Sequence, residues 1–278
     1  MLVLGSAAMR VWLAVVLALG VAAACGTVEG PLLHRIAGPD AGQSAPQIAI
    51  TQDMSWQYQL TGQVELDADV ELFVIDLFAL DAERIAQMHQ QNKVVVAYLS
   101  AGTFESFRDD ADRFPASAIG NPLINYPDEA WLDVRDPQVR AVMAARLDVA
   151  RDKDFDGLLP TSLSGYRADT GFDLTAEDQR AYSAWLADEA HARGLLVGMA
   201  GDFDQAPELI DRFDWAVHYG CIERGDCDDL HLFAERGKPV LDVETEGEAA
   251  DVCAAGEQLG INVLLKRPQF DAYRVGCL

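Results

Sequence analysis

Val94-Val95-Val96-Ala97-Tyr98-Leu99 is an unbroken apolar run, rich in β-branched residues and followed by Ser100-Ala101-Gly102. A strand with one wet face alternates apolar and polar residues. A strand covered on both faces, as in a parallel sheet packed under helices, does not. Outward from this run, short β-rich segments recur at 56–60, 72–77, 155–160, 195–200, 215–218, 240–244 and 263–266, with helical stretches between most of them. Counting 94–99, that makes eight strands, and strand–helix alternation around eight parallel strands predicts an α/β fold, a (β/α)8 TIM-type barrel in a single domain.

The helices carry their own punctuation. Asp136 as N-cap with Pro137 in the first turn opens one whose Val139, Val142, Met143, Leu147 and Ala150 recur at helical spacing. Thr175 caps another, with Tyr182, Trp185, Leu186 and Ala190 on its buried stripe and Gly194 past its end. The stretch 102–135 shows no strong period and reads as an extended loop over one mouth of the barrel.

The ends and the charge bound the setting. Arg10 precedes an apolar run that closes on Ala22-Ala23-Ala24 before Cys25, which predicts a signal peptide over 1–24 with Cys25 as the acylated N-terminus of an exported cell-surface or periplasmic lipoprotein. The alternative is ordinary cleavage that leaves Cys25 a bystander. Residues 25–47 read as a tether and 48–278 as the barrel. Loss of the signal removes one cation, so 20 Lys and Arg stand against 45 Asp and Glu. Such a surface repels nucleic acid and anionic lipid, so membrane contact is expected only through the lipid, and cationic ligands gather near it.

With Cys25 set aside, four cysteines remain, and the expected pairs are Cys221 with Cys227 and Cys253 with Cys277. The five histidines show no ligand spacing, so neither metal nor cofactor is expected.

Active sites of α/β barrels form at the C-terminal ends of the strands, where the loops converge. There the sequence resembles glycoside hydrolase family 114, the endo-α-1,4-polygalactosaminidases. The likeness rests on 56–62 (WQYQLTG), 74–78 (VIDLF), 97–105 (AYLSAGTFE) with Arg108-Asp109-Asp110, 131–135 (WLDVR), Asp156-Gly157, Gly165-Tyr166, Thr170-Gly171-Phe172, Phe213-Asp214 and the cysteines 221 and 227. The resemblance implies a sugar-cleaving scaffold and a polysaccharide partner, a cationic galactosaminoglycan.

It departs from the family where the chemistry belongs. The family pattern Glu-Pro-Asp-Asn-x-Asp-Gly-Tyr is here Leu159-Pro160-Thr161-Ser162-Leu163-Ser164-Gly165-Tyr166; its Lys-Asn-Asp is Ala200-Gly201-Asp202; its Glu-Gln-Cys is Tyr219-Gly220-Cys221. Glycoside hydrolysis ordinarily uses two carboxyl groups flanking the bond. By resemblance these fall on Thr161 and Tyr219, and neither is an acid. The expectation is a catalytically impaired relative that binds an amino-sugar polysaccharide. The alternative is an active glycosidase using carboxylates outside the usual motif. Asp154, Asp156 or Glu223 would take the missing roles if the register slips. Asp76, Tyr98, Ser100, Glu105, Asp202 and Glu244 are the candidate substrate-binding residues, and Arg108-Asp109-Asp110 reads as solvated charge.

Overall fold

The structure is a computed structural model and describes residues 48–278. The expected signal peptide, Cys25 and the expected tether therefore lie outside the described residues. Strands β1 (Trp56–Gln59), β2 (Leu72–Asp76) and β3 (Val94–Ser100) lead into a small sheet of β4 (Thr103–Glu105), β5 (Ile119–Leu123) and β6 (Tyr126–Leu132). The barrel resumes with β7 (Gly157–Thr161), β8 (Leu196–Ala200), β9 (Trp215–Tyr219), β10 (Val240–Glu244) and β11 (Asn262–Leu265), and a short β12 (Val275–Gly276) pairs antiparallel with β11. The eight long strands pair in parallel in the order β1-β2-β3-β7-β8-β9-β10-β11, each at an expected position.

The seam between β11 and β1 is closed by side chains. Asn262 accepts from the Trp56 indole at 3.1 Å and donates to the carbonyls of Gln52 and Met54, while Lys266 Nζ reaches Gln57 Oε1 at 2.6 Å. The Lys266 ammonium is spent on this seam, and burial lowers it to about 8.

Strand periodicity then divides the core in two. Trp56, Tyr58, Val74, Val96, Leu159, Val217, Val243 and Leu264 fill the barrel interior. Their neighbours, among them Phe73, Ile75, Val95, Leu158, Val197 and Val263, face outward against the helices. The space inside is tight enough that any side chain on Gly198 would run into the Trp215 indole.

Helix α1 (Ala82–Gln90) is capped by Asp81, α2 (Pro137–Asp152) by Asp136 and α3 (Ala176–Ala192) by a Thr175–Asp178 capping box, the last two as expected. The shorter α4 (Ala206–Leu209), α5 (Cys221–Arg224), α6 (His231–Glu235) and the longer α7 (Ala249–Leu259) complete the outer layer. Both expected disulfides are present, Cys221–Cys227 and Cys253–Cys277, the second tying the C-terminus to α7.

The stretch 102–135 corrects the reading of a structureless loop, because it holds an antiparallel sheet in the order β4-β6-β5. The strand signal was hidden for physical reasons. Strand β4 has three residues, β5 contains Pro122 and slips register twice, and the β5–β6 turn is Ile124-Asn125 instead of a glycine-containing pair. Gly102 lets this sheet fold back over the mouth, since a side chain there would strike the carbonyl of Ser162.

Candidate active site

Periodicity places Tyr58, Asp76, Tyr98, Ser100, Thr161 and Tyr219 on the inner face at the C-terminal ends of their strands. At the centre is a plug of aromatic rings. The Tyr58 and Tyr219 hydroxyls are 3.0 Å apart, and Tyr58 makes edge contacts to Tyr98, Tyr219 and Phe270 with ring centroids 6.1, 5.7 and 5.2 Å away. Phe270 comes from the loop after β11 and has a left-handed backbone (φ 50°); its carbonyl accepts from the amides of Leu60 and Thr61. Burial drives the Tyr58 and Tyr219 phenols well above their ordinary range near 10. It pushes Tyr98 up to about 12, against the opposing pull of a hydrogen bond to Thr161. None of the three exchanges a proton near neutral pH.

Beside the plug, two arginines lock up carboxylates. Arg108 makes a bidentate pair with Asp76, at 3.0 and 2.5 Å, and donates to Glu105 at 2.7 Å. Arg146, from the buried stripe of α2, makes a bidentate pair with Asp110 at 2.8 Å and lies 3.6 Å from the other oxygen of Glu105. Arg108 and Asp110 are therefore structural ions and not solvated charge, which corrects the sequence reading. Asp76 and Glu105 share one guanidinium nitrogen, so the space between them where a glycosidic oxygen would enter is filled.

Two further carboxyl groups lie outside the Arg108 and Arg146 pairs, Glu129 and Asp202, the latter 3.6 Å from Arg167. Glu129 on β6 accepts from Thr103 Oγ1 at 2.9 Å, and Thr103 in turn bonds Ser100, whose hydroxyl is 3.3 Å from Ser162. Burial raises Glu129 above the usual carboxylate range, with Glu105 adding to the rise. The sequence offered no signal for Glu129, because it belongs to a strand that could not be read. Asp202 follows β8 in a left-handed conformation (φ 55°) and accepts from the Tyr166 hydroxyl at 2.9 Å. Its second oxygen is buried with no hydrogen-bond donor among the described residues, and burial pushes the group up to about 6 against Tyr166 and Arg167.

The sequence model of the glycoside-hydrolase family GH114 matches residues 38–278. The chain belongs to family GH114. The barrel is similar to the crystal structure of Aspergillus fumigatus Ega3 in complex with galactosamine, with 31% identity, TM-score 0.79, and coverage of 84% of this chain and 99% of that one. It also shares its fold with the glycoside hydrolase domain of PelA from Pseudomonas aeruginosa, at 18% identity, TM-score 0.68, and coverage of 80% and 97%. No curated protein sequence matches the chain.

In this GH114 barrel several expected residues stand away from the mouth. Glu244 and Asp242 alternate with the interior residues Leu241 and Val243, so both face outward, beneath α5. Glu244 Oε1 accepts from the amides of Ile222 at 2.6 Å and Glu223 at 3.4 Å, which gives it a structural position and corrects its placement among the substrate-binding residues. Glu223 itself lies on α5. Asp156 accepts from the Val95 amide and contacts His89 at the opposite end of the barrel, with Asp154 beside it, so neither can replace Thr161. His218, Asp226 and Asp229 lie close enough to share a cation, but the Arg224 guanidinium already sits 3.3 Å from His218. The other grouping of His218 with Cys221 and Asp242 is closed by the disulfide.

Asp242 lies beside Glu244, and one oxygen of each lacks a donor among the described residues. Burial, then the neighbouring Glu244, pushes Asp242 up to about 8. The folded state therefore binds a proton that the unfolded chain releases near pH 4, and this contribution to stability is complete below that pH and is lost as pH rises toward 8. Thermal melts from pH 5 to pH 8 should show a falling Tm, and Asp242→Asn should flatten the fall. An unchanged slope in the variant would assign it to other groups.

Proposed function

We propose that this GH114 chain is a glycan-binding barrel that has lost its hydrolytic pair and holds a cationic amino-sugar polysaccharide against an acidic mouth. The observation that carries the reading is the Tyr219–Tyr58 hydroxyl pair buried in the mouth, where the sixth barrel strand would otherwise present a carboxylate. Thr161, its counterpart on β7, is a neutral hydroxyl whose Oγ1 lies 3.4 Å from the Leu99 carbonyl. A phenol raised by burial and an alcohol supply neither a protonated acid nor a base near pH 7. The galactosamine seen with Ega3 supports an amino sugar as ligand, and the net charge of −24 supports a cationic one. We place the protein outside the cell, anchored through Cys25; its two disulfides fit an oxidising compartment.

A paired assay on purified mature protein tests this: release of reducing ends from de-N-acetylated and acetylated α-1,4-galactosaminoglycan, and retention on both polymers. Retention without turnover, stronger on the cationic polymer and weakened by salt, is the expected result. Asp202 favours a second reading, because a carboxyl raised to about 6 is suited to donating a proton. If hydrolysis appears, with a rate that falls as pH rises through about 6 and is lost in Asp202→Asn, the binding-only reading is wrong.

A further inference from the structure

A second surface of the same GH114 chain has the chemistry of a sugar site. Between the β5–β6 hairpin and the loop after β7 lies a groove of about 620 Å³, within the range of small-molecule sites. Trp131 and Tyr126 supply aromatic faces, Ile124 is fully exposed at the hairpin tip, and Asn121, Asn125 and Asp169 bring amide and carboxylate groups. Asn121 donates to both the carbonyl and the carboxylate of Asp169, at 3.1 and 3.0 Å, which fixes that acid in the wall.

Two further observations choose the occupant. Trp131 pairs with Thr103 across β4 and β6, and Glu129 lies two residues before it, so all three share the sheet face that reaches the mouth through Ser100. Trp131 thus ties one wall of the groove to the mouth residues through a shared face of the small sheet. The β5 edge beside it is a poor template for a second copy, since it is broken by Pro122 and two register shifts. Aromatic faces with one fixed carboxylate in a strongly acidic protein match a cationic sugar chain, whose ring faces stack and whose ammonium pairs with the acid.

We propose that this groove is an outlying subsite that binds the amino-sugar units of a polymer extending from the mouth, with Tyr126 and Trp131 as stacking faces and Asp169 as the ammonium acceptor. The proposal rests on the glycan-binding reading above and extends it to a separate set of residues.

The test is titration calorimetry of the purified mature protein, Tyr126→Ala and Asp169→Asn with long α-1,4-linked galactosamine oligomers and with galactosamine. Tyr126 is 57% exposed, so its truncation leaves the core intact. Tyr126→Ala should weaken the long oligomer about tenfold, the effect of deleting one aromatic face. Asp169→Asn should weaken the oligomer and reduce its salt dependence. Wild-type affinity for the oligomer in both variants overturns the subsite while leaving the mouth reading standing. No oligomer binding by the unaltered protein overturns both. If sedimentation shows a self-associating protein that Tyr126→Ala makes monomeric, with glycan affinity unchanged, the groove is a contact between copies and the proposal fails.

Discussion

Arg146→Ala should destabilise the barrel by about 3–5 kcal/mol, the range for removing one partner of a buried ion pair. The guanidinium side chain is 1% exposed and serves Asp110 through two bonds and Glu105 through a longer contact. Without it, Asp110 keeps only the more distant field of Arg113, in a position burial already disfavours. At present the bidentate Arg146 outweighs that burial and holds Asp110 below the ordinary range. Urea unfolding should show a lower midpoint with an unchanged slope, since the surface exposed on unfolding is the same. Replacing both partners, as in Arg146→Met with Asp110→Leu, should recover much of the loss, because a buried ion pair gains little over a well-packed apolar pair. A single variant within about 1 kcal/mol of the unaltered protein would mean that water reaches Asp110 and the network is not dry.

The same residue shows what the sequence could and could not reveal. Arg146 lies four residues after Val142 and four before Ala150, on the apolar stripe of α2, so its burial was open to inference from spacing. Its partner Asp110 came from a stretch without periodicity and could not be inferred. The eight strands were legible because buried parallel strands are continuous apolar runs. That property also hides which side chains point inward, and it is why Glu244 looked like a mouth residue while it faces α5. The plug had no local signal at all, since Tyr58, Tyr219 and Phe270 meet only when the barrel closes. Thr161 and Tyr219 were singled out by resemblance, and strand parity puts both on the inner face, where their chemistry matters.

On the proposal that this GH114 barrel lacks turnover for want of two carboxylates, Thr161→Asp combined with Tyr219→Glu should raise reducing-end release at least about 100-fold, the lower end of what a positioned acid–base group contributes. Strands β7 and β9 flank β8, so their backbones stand about 10 Å apart at the usual spacing. Inward side chains shorten that gap toward the 5–9.5 Å separations used by retaining and inverting enzymes. The surroundings would also drive the two new acids apart in strength. A glutamic acid at 219 would enter the buried plug beside the Tyr58 hydroxyl, and burial would keep it protonated as the proton donor. An aspartate at 161 would sit beside Tyr98 and Ser100, whose hydroxyls favour the ionised form. Each single substitution should stay near background, because the two groups act as a unit. A double variant that folds and retains polymer yet releases no reducing ends would shift the cause of silence to the ring of Phe270 closing over Tyr58, and Phe270→Ala in that background is then the variant that should turn over.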